Sequence, residues 1–262
     1  AGARRELHEL RPLRYPTDEP LGNFMSAAQL RIVAVEYQQG LLDRLNDEIK
    51  GAAGTEWESK GIVETVIETA ANREHSLIFN YASQVLNNSF FLDSLVPQTQ
   101  PNWNMIDHEF AADIEQNFGS VTQFMSYMSA AAMGMSGSGW VWLVVDAQNR
   151  LATVATYGSG TMLIRARQQV NPSTVKGDPL LFGGAAAGEL TQRGPVPEGA
   201  TGELSFSPTA TVKAENFRFF GQDLNPIMCI SVHEHAWLHD YGVWGKEEYL
   251  KRFWAVVDWN KV

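Results

Sequence analysis

Six apolar residues that follow Ser26, namely Leu30, Val33, Tyr37, Leu41, Leu45 and Ile49, recur at three- and four-residue intervals. That period lays them on one stripe of a helix and leaves the charged and amide residues between them on the other side. The run constrains the fold more than any other feature, because an amphipathic helix over 26–50 needs an apolar partner along its whole length. Ser26 followed by Gln29 has the form of a capping box and marks its start. Gly51 to Gly54 breaks it. A second helical region is expected over about 58–95, interrupted near Phe79 to Ser83, before Pro97 and Pro101 end the pattern. The first half of the chain therefore reads as an antiparallel helical hairpin.

Beyond Pro101 the periodicity changes. A helix is expected from about Asp107 to Asn117, and Ser120 with Gln123 opens another that runs to about Met133. Trp140–Val145 and Leu151–Tyr157 are rich in β-branched and aromatic residues and flank the polar turn Asp146–Arg150, so they read as a hairpin. Ile227–Ser231 is a third strand, and Glu247–Val257 returns to helical spacing. Between the second and third strands, residues from about 165 to 220 contain seven Gly and five Pro, a connection too long for an ordinary loop. It reads as an insertion held against a partner.

Charge and cysteine narrow the function classes. Lys plus Arg number 20 against 30 Asp plus Glu, a formal charge of -10, so the chain does not wrap phosphate over its whole surface. Cation is concentrated instead in residues 1–14, where Arg4, Arg5, Arg11 and Arg14 form an arm suited to local RNA or partner contact. The single cysteine, Cys229, has no intramolecular disulfide partner, which fits a reducing compartment. No apolar run is long enough to span a bilayer, so no membrane partner is expected. The first residue is Ala1 rather than Met, which allows for a leader removed before it.

Five blocks in order resemble the iron/manganese superoxide dismutase family: LRYPTDEPLGNFMSAAQL, the helix ending in LLDRLN, NNSFFLDSLVP, NFGS with GSGWVWL, and SVHEHAWLHDY with YLKRFWAVVDW. The resemblance implies an α+β fold, an N-terminal α-helical hairpin followed by a C-terminal α/β domain with a three-stranded antiparallel sheet. On that basis residues 1–14 are the arm, 15–100 the hairpin domain and 101–262 the α/β domain carrying the insertion at about 165–220.

The same resemblance implies one redox metal held by three imidazoles and a carboxylate. Matched residue by residue, these four positions fall on Val33, Asn88, Ser231 and His235, of which only the last keeps its ligand. The family's channel tyrosine matches Leu41, and its solvent-tuning glutamine falls near Ser159 or Gly160. No metal or other cofactor is expected. What remains is Glu234-His235-Ala236, which matches the family motif in which the glutamate of one subunit bonds the histidine of the other. Trp140 and Trp142 read as sheet core. His235 and His239, four apart, offer a different metal site if one helix carries both, and His233 lies beside them.

Ligand loss on this fold resembles the superoxide dismutase-like subunits of the fungal mitochondrial small ribosomal subunit. The expectation is a non-catalytic ribosomal protein of the mitochondrial matrix. Its expected partners are other small-subunit proteins, a second dismutase-like chain as dimer partner, and ribosomal RNA at the arm. The competing expectations are a metal-dependent enzyme, whether a dismutase or a site rebuilt around His233, His235 and His239, and a free binding partner of a dismutase.

Overall fold

Ser26 starts the first helix by accepting the Gln29 amide N–H on its hydroxyl at 3.1 Å. The reciprocal half of the capping box is missing, because the Gln29 side chain turns away to the distant His235 carbonyl. The computed structural model describes residues 8–51, 57, 60–98, 105–164 and 224–262. Arg4, Arg5 and the 165–220 segment lie outside the described residues.

The helix begins as α1 (Ala27–Arg31), passes through a π-helical stretch at Ile32–Tyr37, and continues as α2 (Gln38–Gly51). Next come α3 (Ile62–Thr69), a 3-10 turn at Arg73–His75, and α4 (Ser76–Asp93). The expected interruption at Phe79–Ser83 does not occur. These residues lie mid-helix with Phe79, Ala82 and Ser83 fully buried, and the break falls earlier, where Asn72 caps the 3-10 turn by accepting from the Glu74 amide at 2.9 Å.

Contacts between α2 and α4 run in opposite senses. Leu45 and Ile49 share a core cluster with Ile78, Phe79 and Ala82, whereas Leu41 and Leu42 meet Val85. The two helices are therefore antiparallel, and the stripe read from the sequence is the seam between them.

Two more helices, α5 (His108–Phe118) and α6 (Val121–Gly134), lead into the sheet. Asp107 and Ser120 cap them, accepting the amides of Glu109 at 2.9 Å and Gln123 at 3.1 Å. The strands are β1 (Gly139–Val145), β2 (Leu151–Tyr157) and β3 (Asn225–Ser231). Their order is β2-β1-β3 with both pairings antiparallel, so β1 is central and buried along nearly its whole length. The β1–β2 turn is held by Asp146, whose carboxylate accepts the amides of Gln148 and Arg150 and pairs with the Arg150 guanidinium at 2.6 Å.

After β3 a 3-10 turn at Glu234–Ala236 leads to α7 (Leu238–Tyr241) and α8 (Lys246–Phe253). The helical spacing to Val257 is not realised past Phe253, because the chain then pairs with the end of α4. Val96 donates to Val256 at 2.8 Å, and Asp258 donates to Ser94 at 2.9 Å. An aromatic core joins helices to sheet, with Phe91 between Trp140 and Phe253 at ring separations of 6.3 Å each. Among the described residues no helix is long and apolar enough to cross a membrane.

Candidate functional site

Gln29, Val33 and Tyr37 recur every fourth residue and face the same neighbours. Gln29 Nε2 donates to the His235 carbonyl at 2.7 Å. The Tyr37 ring lies 3.8 Å from the His235 ring, tilted by 30°. Between them Val33 is fully buried, and its carbonyl accepts from Asn88 Nδ2 at 3.0 Å.

Asn88, on α4, spends both amide hydrogens within the hairpin, one on Val33 and the other on Gln38 Oε1 at 2.8 Å. Gln38 in turn donates from Nε2 to the Val85 carbonyl at 3.0 Å and to Ser89 Oγ at 2.8 Å. The Asn88 amide is thus fixed in orientation, since reversing it would set two carbonyl oxygens against each other at Val33. Its Oδ1 is buried without a partner.

Ser231 closes β3 opposite Trp140. Its carbonyl accepts from the Tyr249 hydroxyl at 3.0 Å, while its own hydroxyl is buried and unpartnered. His233 follows, its ring edge-on to Trp140 at 4.9 Å and nearly parallel to His235 at 5.2 Å. Tyr37, His235, His233 and Trp140 therefore form a series of four rings running from the first helix to the sheet.

Burial keeps both imidazoles neutral. It pulls His233 down to about 4, against a smaller upward influence from Glu234 and a backbone hydrogen bond with Gly158. It pulls His235 down to about 3, and the neighbouring His233 pushes the same way. Burial also lifts the Tyr37 hydroxyl to about 12. Glu234 behaves oppositely. Although partial burial opposes ionisation, the Ser138 hydroxyl bonded to it and its own backbone N–H hold its carboxyl below the usual carboxylate range.

The four positions assigned from the resemblance do not fit a redox ion. Val33 offers no donor atom, and the Asn88 oxygen and Ser231 hydroxyl are weak neutral ligands. His235 alone supplies a strong one, and the carboxylate that would balance the ion's charge is missing. Among the described residues no group of three or more His, Cys, Asp or Glu side chains is placed to hold a metal. The alternative pair, His235 and His239, is not on one helix. Trp237 takes φ -139° between them, His235 belongs to the 3-10 turn, and His239 lies exposed on α7.

Leu41 packs with Leu42 and Val85 in the hairpin seam. Ser159 and Gly160 clamp the β2 end onto α4. Ser159 accepts from Ser83 at 2.7 Å and donates to Asn80 Oδ1 at 2.6 Å, and Gly160 accepts from Asn87 at 3.0 Å. Trp142 donates to Thr156 Oγ1 at 2.9 Å in the sheet core. Arg14 pairs with Asp258 at 2.9 Å and donates to the Asp93 carbonyl at 2.7 Å, whereas Arg11 is exposed. Sequence reasoning missed Gln29, Tyr37 and Gln38 as members of this site. The available signal was two glutamines beside an otherwise apolar stripe, which in a buried seam must find partners.

Comparison with known proteins agrees with this architecture. The family model for the C-terminal domain of iron/manganese superoxide dismutases matches residues 106–175 and 201–262. Small ribosomal subunit protein mS43 of Schizosaccharomyces pombe is 26% identical over 243 residues, covering 90% of this chain and 77% of that protein. Superoxide dismutase (Fe) of Salmonella typhimurium is 28% identical over 256 residues, 97% of this chain and 95% of the enzyme. That of Campylobacter jejuni is 32% identical over 160 residues, 59% of this chain and 69% of the enzyme. With its helical hairpin, its three-stranded antiparallel sheet and a family model covering half its length, the chain belongs to the iron/manganese superoxide dismutase family.

Proposed function

We propose that this chain is a non-catalytic structural component of a mitochondrial small ribosomal subunit, a dismutase fold used as a docking protein. The observation that carries the reading is the state of the four ligand positions. Val33, Asn88 and Ser231 are fully buried, and Asn88 is committed to hydrogen bonds inside the hairpin, so the family's chemistry has lost its donors while the fold around it is intact. The similarity to mS43, spread over 90% of the chain, supports a ribosomal rather than a free role.

The docking elements in this reading are three. Glu234 and His235 pair the chain with a second dismutase-like chain. Glu234 is exposed, and the stretch that follows it presents Leu238, Val243 and Trp244 to solvent, with Trp244 94% exposed. Large apolar side chains left in solvent this close in sequence favour a protein contact there. The insertion at about 165–220 binds neighbouring proteins. Arg4, Arg5 and Arg11 touch ribosomal RNA locally, since a chain of net charge -10 contacts phosphate only where cation is concentrated, whereas Arg14, paired with Asp258, ties the arm to the body instead. In this reading the arm (1–14) carries the RNA contact and the α/β domain (101–262) carries both protein-docking elements, with the hairpin domain (15–100) as their support.

The test is elemental analysis and superoxide turnover of the purified native protein. The reading expects neither bound manganese or iron near one equivalent nor turnover above background. A stoichiometric redox metal with turnover contradicts it.

A further inference from the structure

Buried side-chain atoms without a hydrogen-bond partner gather around the former ligand positions: Asn88 Oδ1, Trp140 Nε1, Ser231 Oγ, His233 Nε2 and His235 Nε2. A chain of contacts links these residues. Trp140 faces Ser231 across the β1–β3 pairing and touches His233, which touches His235. His235 meets Tyr37, one helical turn from Val33, and the Val33 carbonyl holds Asn88. A buried donor or acceptor left unsatisfied carries its full desolvation cost, and here that cost would recur at linked positions. Something meets them.

Their chemistry says what. Asn88 Oδ1 only accepts, because the amide orientation is fixed by Val33 and Gln38. Trp140 Nε1 only donates, and the Ser231 hydroxyl does both. The set mixes donors with acceptors and carries no charge. A cation would meet the Trp140 N–H, and an anion would meet the Asn88 oxygen. Water satisfies either kind of group and fills polar internal spaces of this type.

We propose that the former ligand positions form a water-binding site, in which ordered water meets Asn88 Oδ1, Ser231 Oγ and the His235 imidazole. The inference rests on the reading of these positions as having given up the metal. Water there has a structural role: it completes the polar inner surface joining the helical hairpin to the sheet, where the metal ligands of an enzyme would otherwise tie the same elements together.

The experiment is a high-resolution crystal structure of the full chain, with elemental analysis of the same crystals. The expected result is solvent density about 2.7–3.0 Å from Asn88 Oδ1 and from Ser231 Oγ, with metal content far below one equivalent. A dry space lined by repacked side chains overturns the water site and leaves the non-catalytic reading standing. Density about 2.0–2.2 Å from His235 Nε2, with one equivalent of metal, overturns both. A Ser231→Ala variant provides a second readout: it is expected to lose the water contact at that position while its metal content stays unchanged.

Discussion

At the residue scale, the paired histidines make stability depend on pH in a defined direction. In the folded chain burial holds His233 at about 4 and His235 at about 3, while unfolding returns both toward 6.5. Between those values the unfolded chain binds more protons, so stability is full above about pH 6.5 and falls as pH drops toward 3. Urea titrations at pH 7 and pH 5 are expected to show a lower midpoint at pH 5. The His233→Gln variant should reduce that difference, His235 supplying the remainder, and an unchanged midpoint in the wild-type chain would contradict the burial of these rings. Gln38→Leu belongs to the same scale. It removes two donated bonds and the acceptor for Asn88, leaving buried groups unpaired, and should cost about 2–4 kcal/mol in urea unfolding. Little of this was legible in the sequence. Tyr37 meets His235, and Gln29 meets the His235 carbonyl, only because the fold brings the first helix against the turn after β3. Local periodicity carries no record of such contacts.

At the element scale the sequence was far more informative, because amphipathic period and strand alternation are local consequences of burying one face. The long first helix, the β1–β2 hairpin and the third strand stand where the pattern placed them. The misplaced break within the second helical region has a physical cause. Asn80 and Ser83 are polar residues within an apolar run, and their side chains bond Ser159 at the end of β2, a tertiary use of polar residues that mimics a helix stop. The start of β1 is equally constrained. A Cβ on Gly139 would lie 2.1 Å from the Thr156 carbonyl oxygen and 2.5 Å from the Met135 side chain. Gly139→Ala must therefore push β1 from β2 and is expected to destabilise by about 1–3 kcal/mol, read as a lower midpoint in thermal unfolding. A neutral substitution would mean that the strands separate there more easily than their register implies.

At the scale of the whole molecule, folding and docking are expected to separate. Trp244 is almost fully exposed and contributes little to the core. Trp244→Ser should leave the unfolding midpoint within about 0.5 kcal/mol of wild type while weakening association with a second dismutase-like chain in sedimentation equilibrium. Glu234→Lys should have the same effect on pairing through charge, although loss of its bond to Ser138 adds a small cost in stability. If both variants pair as tightly as wild type, the docking face lies elsewhere. The fold as a whole was legible because five ordered blocks carried it. The partners were not, because their chemistry lies on surfaces whose pattern looks like any solvated face.

The proposed ribosomal role of this dismutase fold can be tested by sedimenting the native protein from gently lysed mitochondria through a gradient at moderate salt, with small-subunit RNA as marker. Co-migration with that RNA is the predicted result. Migration as a small free particle, with the RNA elsewhere in the gradient, would contradict it.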